Sequence, residues 1–362
     1  MSELKGKRKN TRPVFIGPVQ VGGGAPVIVQ SMTSTDTRDV KATVRQARRL
    51  IKAGCEIVRV AVPDREAAQA IGQIRKSISV PLVADIHFNH LLALEAMRSG
   101  ADAIRINPGN IPRARLKEII RTAGDRGLSI RIGVNSGSLE KELVKKYGAP
   151  TAEALAESAL RSIEFFEGHG FYSIKLSLKS SEVPAMIDAY RLISEKTDYP
   201  LHLGVTEAGS LLQAAVKSSI GIGVLLNEGI GDTIRVSVTG DPVQEIPVAY
   251  GILRALGIRK VGPDIISCPT CGRCEVDVPG LVSRVEKALA GRKDYLKVAL
   301  MGCVVNGPGE AAEADIGLAG GKGTGILFKK GKVLKKVAEK EFVQCLLEEI
   351  NKMKSGREEN GE

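Results

Sequence analysis

Cys268, Cys271 and Cys274 stand three apart in CPTCGRC, and Cys303 follows far downstream in MGCVVNGPGE. Thiolates at C-x-x-C spacing serve as ligands for zinc or for an iron–sulfur centre, or as a redox pair. A zinc ribbon needs a second C-x-x-C, and Cys303 stands alone. A bacterial ferredoxin run needs another cysteine soon after the third, and here the run stops at Cys274. The next polar ligand candidate in the Cys303 loop is Glu310, seven residues on. Spacing therefore leaves two sets open: four cysteines including Cys274, or three cysteines with a carboxylate. Cys55, which follows the helix-ending Gly54, and Cys345 read as core thiols.

A second group of reactive residues is spread along the first two thirds of the chain. Arg59, Asp85, His87, Arg105, Asn107, Arg131, Asn135, Lys175, Ser177, Glu207, Arg235 and Ser237 all fall in or just after short β-branched runs. A strand buried on both faces reads as almost continuously apolar. IVRVAV, AIRINPG, SIRIGVN, SIKLS and TIRVSV break that rule five times. Five cations against two acids, Asp85 and Glu207, predict a polyanion such as a diphosphate, which arginine grips bidentately. Glu207 in GVTEAG is a salt-bridge partner or a general acid/base beside those cations. Asp85 and His87 in ADIHF orient a hydroxyl or fill a polar layer. His90, His169 and His202 read as structural or exposed, and the histidines show no metal-ligand spacing.

The elements that carry these residues alternate. Strand candidates cover 27–32, 56–62, 82–88, 103–109, 129–135, 172–178, 201–207 and 233–240, with helical stretches between them. Several helices stop at a glycine, as at Gly54, Gly100, Gly127 and Gly170. Eight such units predict a (β/α)8 TIM barrel over residues 1–260, with the active site at the C-terminal ends of the strands. A doubly wound sheet is the alternative, but no G-x-G-x-x-G follows the first strand. Residues 261–362 read as a smaller α+β domain holding the cysteines. In it GGKGTG lacks the first glycine of a phosphate loop and reads as a turn.

Taken in order, ADIHF, RINPGN, RIGVNSGS, TEAG, CPTCGR and MGCVVNGPGEA resemble the 4-hydroxy-3-methylbut-2-enyl diphosphate synthases of the non-mevalonate isoprenoid pathway, in their shorter bacterial form. The resemblance runs from about residue 10 to 350. It implies a 4Fe–4S cluster and the reductive ring-opening and dehydration of 2-C-methyl-D-erythritol 2,4-cyclodiphosphate. Two electrons come from reduced flavodoxin or ferredoxin. By position it implies Cys268, Cys271, Cys303 and Glu310 as cluster ligands, and the family motif requires no cysteine at 274. A carboxylate ligand exchanges more readily than thiolate, which gives Glu310 a catalytic part. The barrel cations would clamp the diphosphate, and Glu207 would assist loss of the C3 hydroxyl as water. The resemblance further implies a homodimer with composite sites, the cluster domain of one subunit over the barrel of the other.

Composition narrows the alternatives. The chain has 362 residues, 43% hydrophobic and 26% charged, which suits two globular domains. No apolar run approaches the roughly 18 residues of a membrane span, and the polar basic start is no signal peptide, so a cytoplasmic protein is expected. A formal charge of +11 points to an anionic partner. Tryptophan is absent and aromatics make up 4%, leaving few stacking platforms for nucleic acid. Two rivals remain: a phosphate-binding barrel transferase or aldolase with a structural zinc module, and a non-enzymatic iron–sulfur regulator.

Overall fold

Short apolar strands alternating with amphipathic helices bury both faces of a parallel sheet only when the helices wrap it. The computed structural model, which describes residues 8–303, 309 and 311–359, shows that arrangement in the first of two units, Met1–Arg259 and Lys260–Glu362.

In the first unit a hairpin, β1 (Val14–Ile16) and β2 (Val19–Val21), precedes eight parallel strands. These are β3 (Ile28–Met32), β4 (Ile57–Ala61), β5 (Leu82–Asp85), β6 (Ala103–Ile106), β7 (Ser129–Asn135), β8 (Ile174–Lys179), β9 (His202–Leu203) and β10 (Thr233–Ile234). Their order is β8-β7-β6-β5-β4-β3-β10-β9, and a parallel bridge between Leu176 and Leu201 joins the two ends. The sheet is thus a closed barrel, as expected. The helices between strands are α1 (Val40–Ala53), α2 (Arg65–Lys76), α3 (His90–Arg98), α4 (Arg113–Asp125), α5 (Lys141–Tyr147), α6 (Ala152–Glu167), α7 (Val183–Lys196), α8 (Leu211–Asn227) and α9 (Glu245–Ala255). Asp39, Asp64, Asn89 and Thr151 cap helix N-termini with their side chains. The four glycines read as helix stops all have positive φ.

Two strands are shorter than their sequence runs. β9 and β10 hold two residues each and do not reach Glu207 or Gly240. Beyond Leu203 the backbones crowd: a Cβ on Gly204 would lie 2.7 Å from the Arg235 carbonyl oxygen. The chain leaves the ladder there, and Glu207 takes a left-handed φ of 54°.

Alternation along each strand sorts the interior into layers. Ile28, Ile57, Val83 and Ala103 form an apolar layer with Ile16 and Val21 of the hairpin, which closes the N-terminal end. The next inward positions are polar and buried: Gln30, Arg59, Asp85, Arg105, Arg131, Lys175 and His202.

The second unit is a five-stranded sheet in the order β11-β12-β13-β14-β15. Its strands are β11 (Pro263–Ser267), β12 (Leu296–Met301), β13 (Ile316–Gly321), β14 (Thr324–Lys329) and β15 (Lys332–Ala338). The first three are parallel and the last two pairings antiparallel. Helices α10 (Val278–Leu289) and α11 (Phe342–Glu359) supply Leu281, Val285, Leu346 and Ile350 to one core, with Val298, Leu300 and Leu318 of the sheet. Cys268 packs in a separate cluster with Ala299, Met301, Ala319 and Phe328. GGKGTG forms the β13–β14 turn. Among the described residues no helix is long and apolar enough to cross a membrane.

Candidate functional site

Strand register assembles the barrel site. Arg105 on β6 stands opposite Arg131 on β7, and Arg131 opposite Lys175 on β8. Asp85 on β5 stands opposite Arg105, and Met32 on β3 opposite Arg59. Arg59, Arg105, Arg131 and Lys175 are each no more than 3% exposed. Asp85 lies between two of them, 3.3 Å from Arg105 Nη1 and 3.6 Å from Arg59 Nε. Arg105 Nη2 donates to Asn135 Oδ1 at 3.1 Å, and Arg59 Nε points at the Met32 sulfur, 3.0 Å away.

Two charged groups enter that the sequence pattern did not single out. Glu245, buried at the start of α9, takes Arg235 in a fork, with Nη2–Oε1 at 3.0 Å and Nε–Oε2 at 3.2 Å, and accepts from Ser31 Oγ at 2.6 Å. It is a third acid beside the two counted from the sequence. Lys179, two residues beyond Ser177 and therefore on the same inward face of β8, is a sixth cation. Among the described residues, six cations of the interior, Arg59, Arg105, Arg131, Lys175, Lys179 and Arg235, thus meet two carboxylates at their own level, Asp85 and Glu245, while buried Asp232 also acts on Lys175 but is paired with Arg8.

The imbalance is visible in unsatisfied atoms. All three guanidinium nitrogens of Arg131 are buried without a hydrogen-bond partner among the described residues, as are Arg59 Nη1, Arg105 Nε, Ser177 Oγ and both side-chain polar atoms of Gln30. Buried polar groups are normally paired, so such a concentration marks a place prepared for a ligand or for water. Burial, then repulsion from Arg59 and Arg105, drives the Arg131 pKa well below its ordinary value. Burial also lowers Lys175 and Lys179, with neighbouring cations adding to it, and lowers Arg59 to about 10. Burial alone would raise Asp85, but Arg59, the nearby His87 imidazole and Arg105 hold its carboxyl well below the usual range.

A pocket opens among these groups, lined by Arg59, Lys179, His202, Thr206, Arg235 and Ser237. It brings together Arg59, Arg235 and Ser237 from the sequence candidates, while Asp85, Arg105 and Asn135 form the adjoining network. Lys175 is the second residue of its strand and lies within the barrel instead of at the strand end. Asn107 turns to the following loop, donating to Ser138 Oγ at 2.7 Å and accepting from the Gly109 N–H at 3.1 Å. His87 is 52% exposed, with Nε2 3.7 Å from Asp85 Oδ2. Glu207 is exposed.

In the second unit the parallel pairing of Ser267 with Leu300 brings the C-terminal ends of β11 and β12 side by side, and Cys268 and Cys303 follow them. The Gly302 N–H donates to Cys268 Sγ at 3.1 Å, the kind of contact that tunes cluster-bound sulfur. The Arg273 backbone N–H chiefly, with its guanidinium, lowers the Cys271 thiol toward the ligating thiolate. Cys274 instead donates its proton to the Val276 carbonyl at 3.1 Å, and a Cβ on Gly302 would strike its sulfur at 2.5 Å. Three soft donors at one end of the sheet, one already receiving an N–H, suit an iron–sulfur cluster in ligand type. Among the described residues no three His, Cys, Asp or Glu side chains converge as a metal site, and Glu310 lies outside the described residues. Cys55 is a buried thiol pushed up to about 12 by desolvation, and Cys345 packs at the edge of the second core.

Residues 11–250 match the GcpE TIM-barrel domain, and residues 264–352 match the GcpE protein C-terminal domain. The chain belongs to the GcpE family. Its resemblance to that family, carried by the motifs, is thereby borne out. Among curated GcpE relatives, one from Thermodesulfovibrio yellowstonii is 59% identical over 347 residues, covering 96% of this chain and 99% of its own. Another, from Caldanaerobacter subterraneus subsp. tengcongensis, is 58% identical and covers 96% and 98%. Both are named 4-hydroxy-3-methylbut-2-en-1-yl diphosphate synthase (flavodoxin). The barrel also resembles the Yersinia pestis dihydropteroate synthase, with TM-score 0.50 and 15% identity over 67% of this chain and 97% of that one. That likeness shows the barrel fold alone.

Proposed function

We propose that the chain makes (E)-4-hydroxy-3-methylbut-2-enyl diphosphate from 2-C-methyl-D-erythritol 2,4-cyclodiphosphate in isoprenoid biosynthesis, with flavodoxin as electron donor. The observation that carries this reading is the barrel's uncompensated charge, above all the Arg131 guanidinium, which has no partner among the described residues. A diphosphate supplies the missing anions, and arginine matches its oxygens bidentately. Arg59, Lys179, Arg235 and Ser237 around the pocket take the phosphate oxygens, and Arg105 is aimed by Asp85 and Asn135.

The reaction breaks the C2–O bond to phosphate and expels the C3 hydroxyl. Two electrons and two protons complete it, with one water released. Glu207 at the rim gives its proton to the departing C3 oxygen. Cys268, Cys271, Cys303 and Glu310 would hold a 4Fe–4S cluster, which supplies the electrons one at a time when bound. Cysteines that serve as cluster ligands have to stay reduced, and all six are free thiols, which suits a reducing cytoplasmic setting.

The ligand assignment is tested on anaerobically purified protein. Cys268→Ser, Cys271→Ser and Cys303→Ser should each lose the brown colour and acid-labile sulfide, whereas Cys274→Ser keeps both. A colourless, zinc-loaded wild type would contradict the reading. The protein acts as a homodimer in which the second unit of one copy serves the barrel of its partner. A mixed dimer of Glu207→Gln with Cys303→Ala then contains one intact site and recovers activity. Verified mixed dimers without activity would rule the shared site out.

A further inference from the structure

We infer that His202 is a substrate-positioning residue, presenting Nε2 to a hydroxyl of the cyclic diphosphate; this rests on the function proposed above. Its sequence position had marked it only as structural or exposed. The residue is 3% exposed and lines the same pocket as Arg59, Lys179, Arg235 and Ser237. It is held from two sides. Nδ1 lies 2.7 Å from Oγ1 of Thr233, its register partner on β10, and its carbonyl accepts the Tyr190 hydroxyl. With Nδ1 engaged, Nε2 is the ring atom left for a ligand.

Chemistry makes this nitrogen different from its neighbours. Arg59, Lys179 and Arg235 carry donors only. They satisfy phosphate oxygens but cannot accept a hydrogen bond from a hydroxyl. Burial first, then Arg131, Lys175, Arg59 and Lys179, keeps the imidazole well below its ordinary pKa. A neutral ring offers one accepting nitrogen, and in the tautomer whose Nδ1–H donates to Thr233 Oγ1 that nitrogen is Nε2. The cations thus recognise the diphosphate, and His202 recognises the carbon skeleton that bears it.

Two isosteres separate this role from a structural one. His202→Asn places an amide near Nδ1, where it still meets Thr233, and leaves nothing at Nε2. His202→Gln reaches the Nε2 position. With the cluster-loaded enzyme, the Asn variant should raise the KM for the cyclic diphosphate roughly 10- to 100-fold, the range for a buried hydrogen-bonding group left unpaired. The Gln variant should recover most of that loss. Inhibition by inorganic pyrophosphate, which has no hydroxyl on carbon, should be unchanged in both.

An Asn variant with wild-type KM would overturn the inference, and so would one whose pyrophosphate inhibition weakens in step with KM. If the Asn variant does not fold, the wild type decides. The chain has four histidines, so the His202 ring nitrogens can be followed by NMR on 15N-histidine protein. Nε2 should shift with the cyclic diphosphate and not with pyrophosphate; no shift with either refutes the role. Failure of the wild type to turn over the cyclic diphosphate is a separate result, which removes the proposed function itself.

Discussion

Arg105 lies across the backbone of Gly133, and a Cβ on that glycine would stand 2.5 Å from Arg105 Nε and 2.8 Å from Nη2. Only a glycine on β7 lets the arginine of β6 cross to Asp85 and Asn135. Gly133→Ala should therefore push the guanidinium out of place. A lost charge-assisted contact is worth about 1.5–3 kcal/mol, so KM should rise roughly 10- to 150-fold. The iron–sulfur absorbance should not change. Normal KM in this variant would show that Arg105 does not touch substrate.

Arg131 should trade stability for binding. Its three nitrogens are buried without partners among the described residues, and replacing buried charge by an apolar side chain of similar size often stabilises by about 1–4 kcal/mol. Arg131→Met should unfold at higher urea than wild type when ligand is absent, while its KM rises at least tenfold. A destabilised Met variant would mean that Arg131 is satisfied within the folded barrel.

Glu207 combines a reactive carboxylate with a left-handed φ of 54°, a conformation that costs a residue with a Cβ roughly 1–3 kcal/mol. Strain of this kind is retained where function needs it. Glu207→Gly should raise Tm by roughly 2–4 °C, the effect of about 1 kcal/mol in a unit of this size, and abolish turnover. Glu207→Gln keeps the strain and should lose turnover without the gain in Tm. Substantial activity in the Gln variant would exclude proton donation by this residue.

His202 should make the fold acid-sensitive in a defined window. The folded protein holds the imidazole neutral, while the unfolded chain takes up a proton near pH 6.5. Below that pH the unfolded state binds more protons, so stability falls as pH falls, by up to about 1.4 kcal/mol per unit for this one group. The depressed carboxyl of Asp85 acts the same way only below about pH 4, where the unfolded carboxylate protonates. Urea midpoints at pH 7, 6 and 5 should fall less steeply for His202→Gln than for wild type. Parallel slopes would show that His202 is not held neutral.

The barrel was legible because eight β-branched runs recur with helices between them, and its site because arginine and lysine interrupt those runs. The rest of the site depends on contacts between distant segments, which local pattern does not carry. Glu245 sits in the first turn of a helix, with nothing nearby to tie it to Arg235. Lys179 did leave a signal, since Lys175, Ser177 and Lys179 alternate onto one face, but it lay one position past the assumed strand end. His202 shares the inward face with Gly204, and a two-residue strand gives no periodicity to reveal that. The truncation of β9 and β10 comes from the close approach of Gly204 to Arg235, which no local pattern encodes.

Turnover itself is the most direct measurement. Cluster-loaded protein, kept anaerobic and supplied with reduced flavodoxin, is given 2-C-methyl-D-erythritol 2,4-cyclodiphosphate, and the product is identified by mass. The expected product is (E)-4-hydroxy-3-methylbut-2-enyl diphosphate, formed with two electrons consumed per molecule and lost together with the barrel cations or the cysteines. Unchanged substrate with a fully loaded cluster, product formation that persists after Glu207→Gln, or a wild-type KM in Arg131→Met would contradict it.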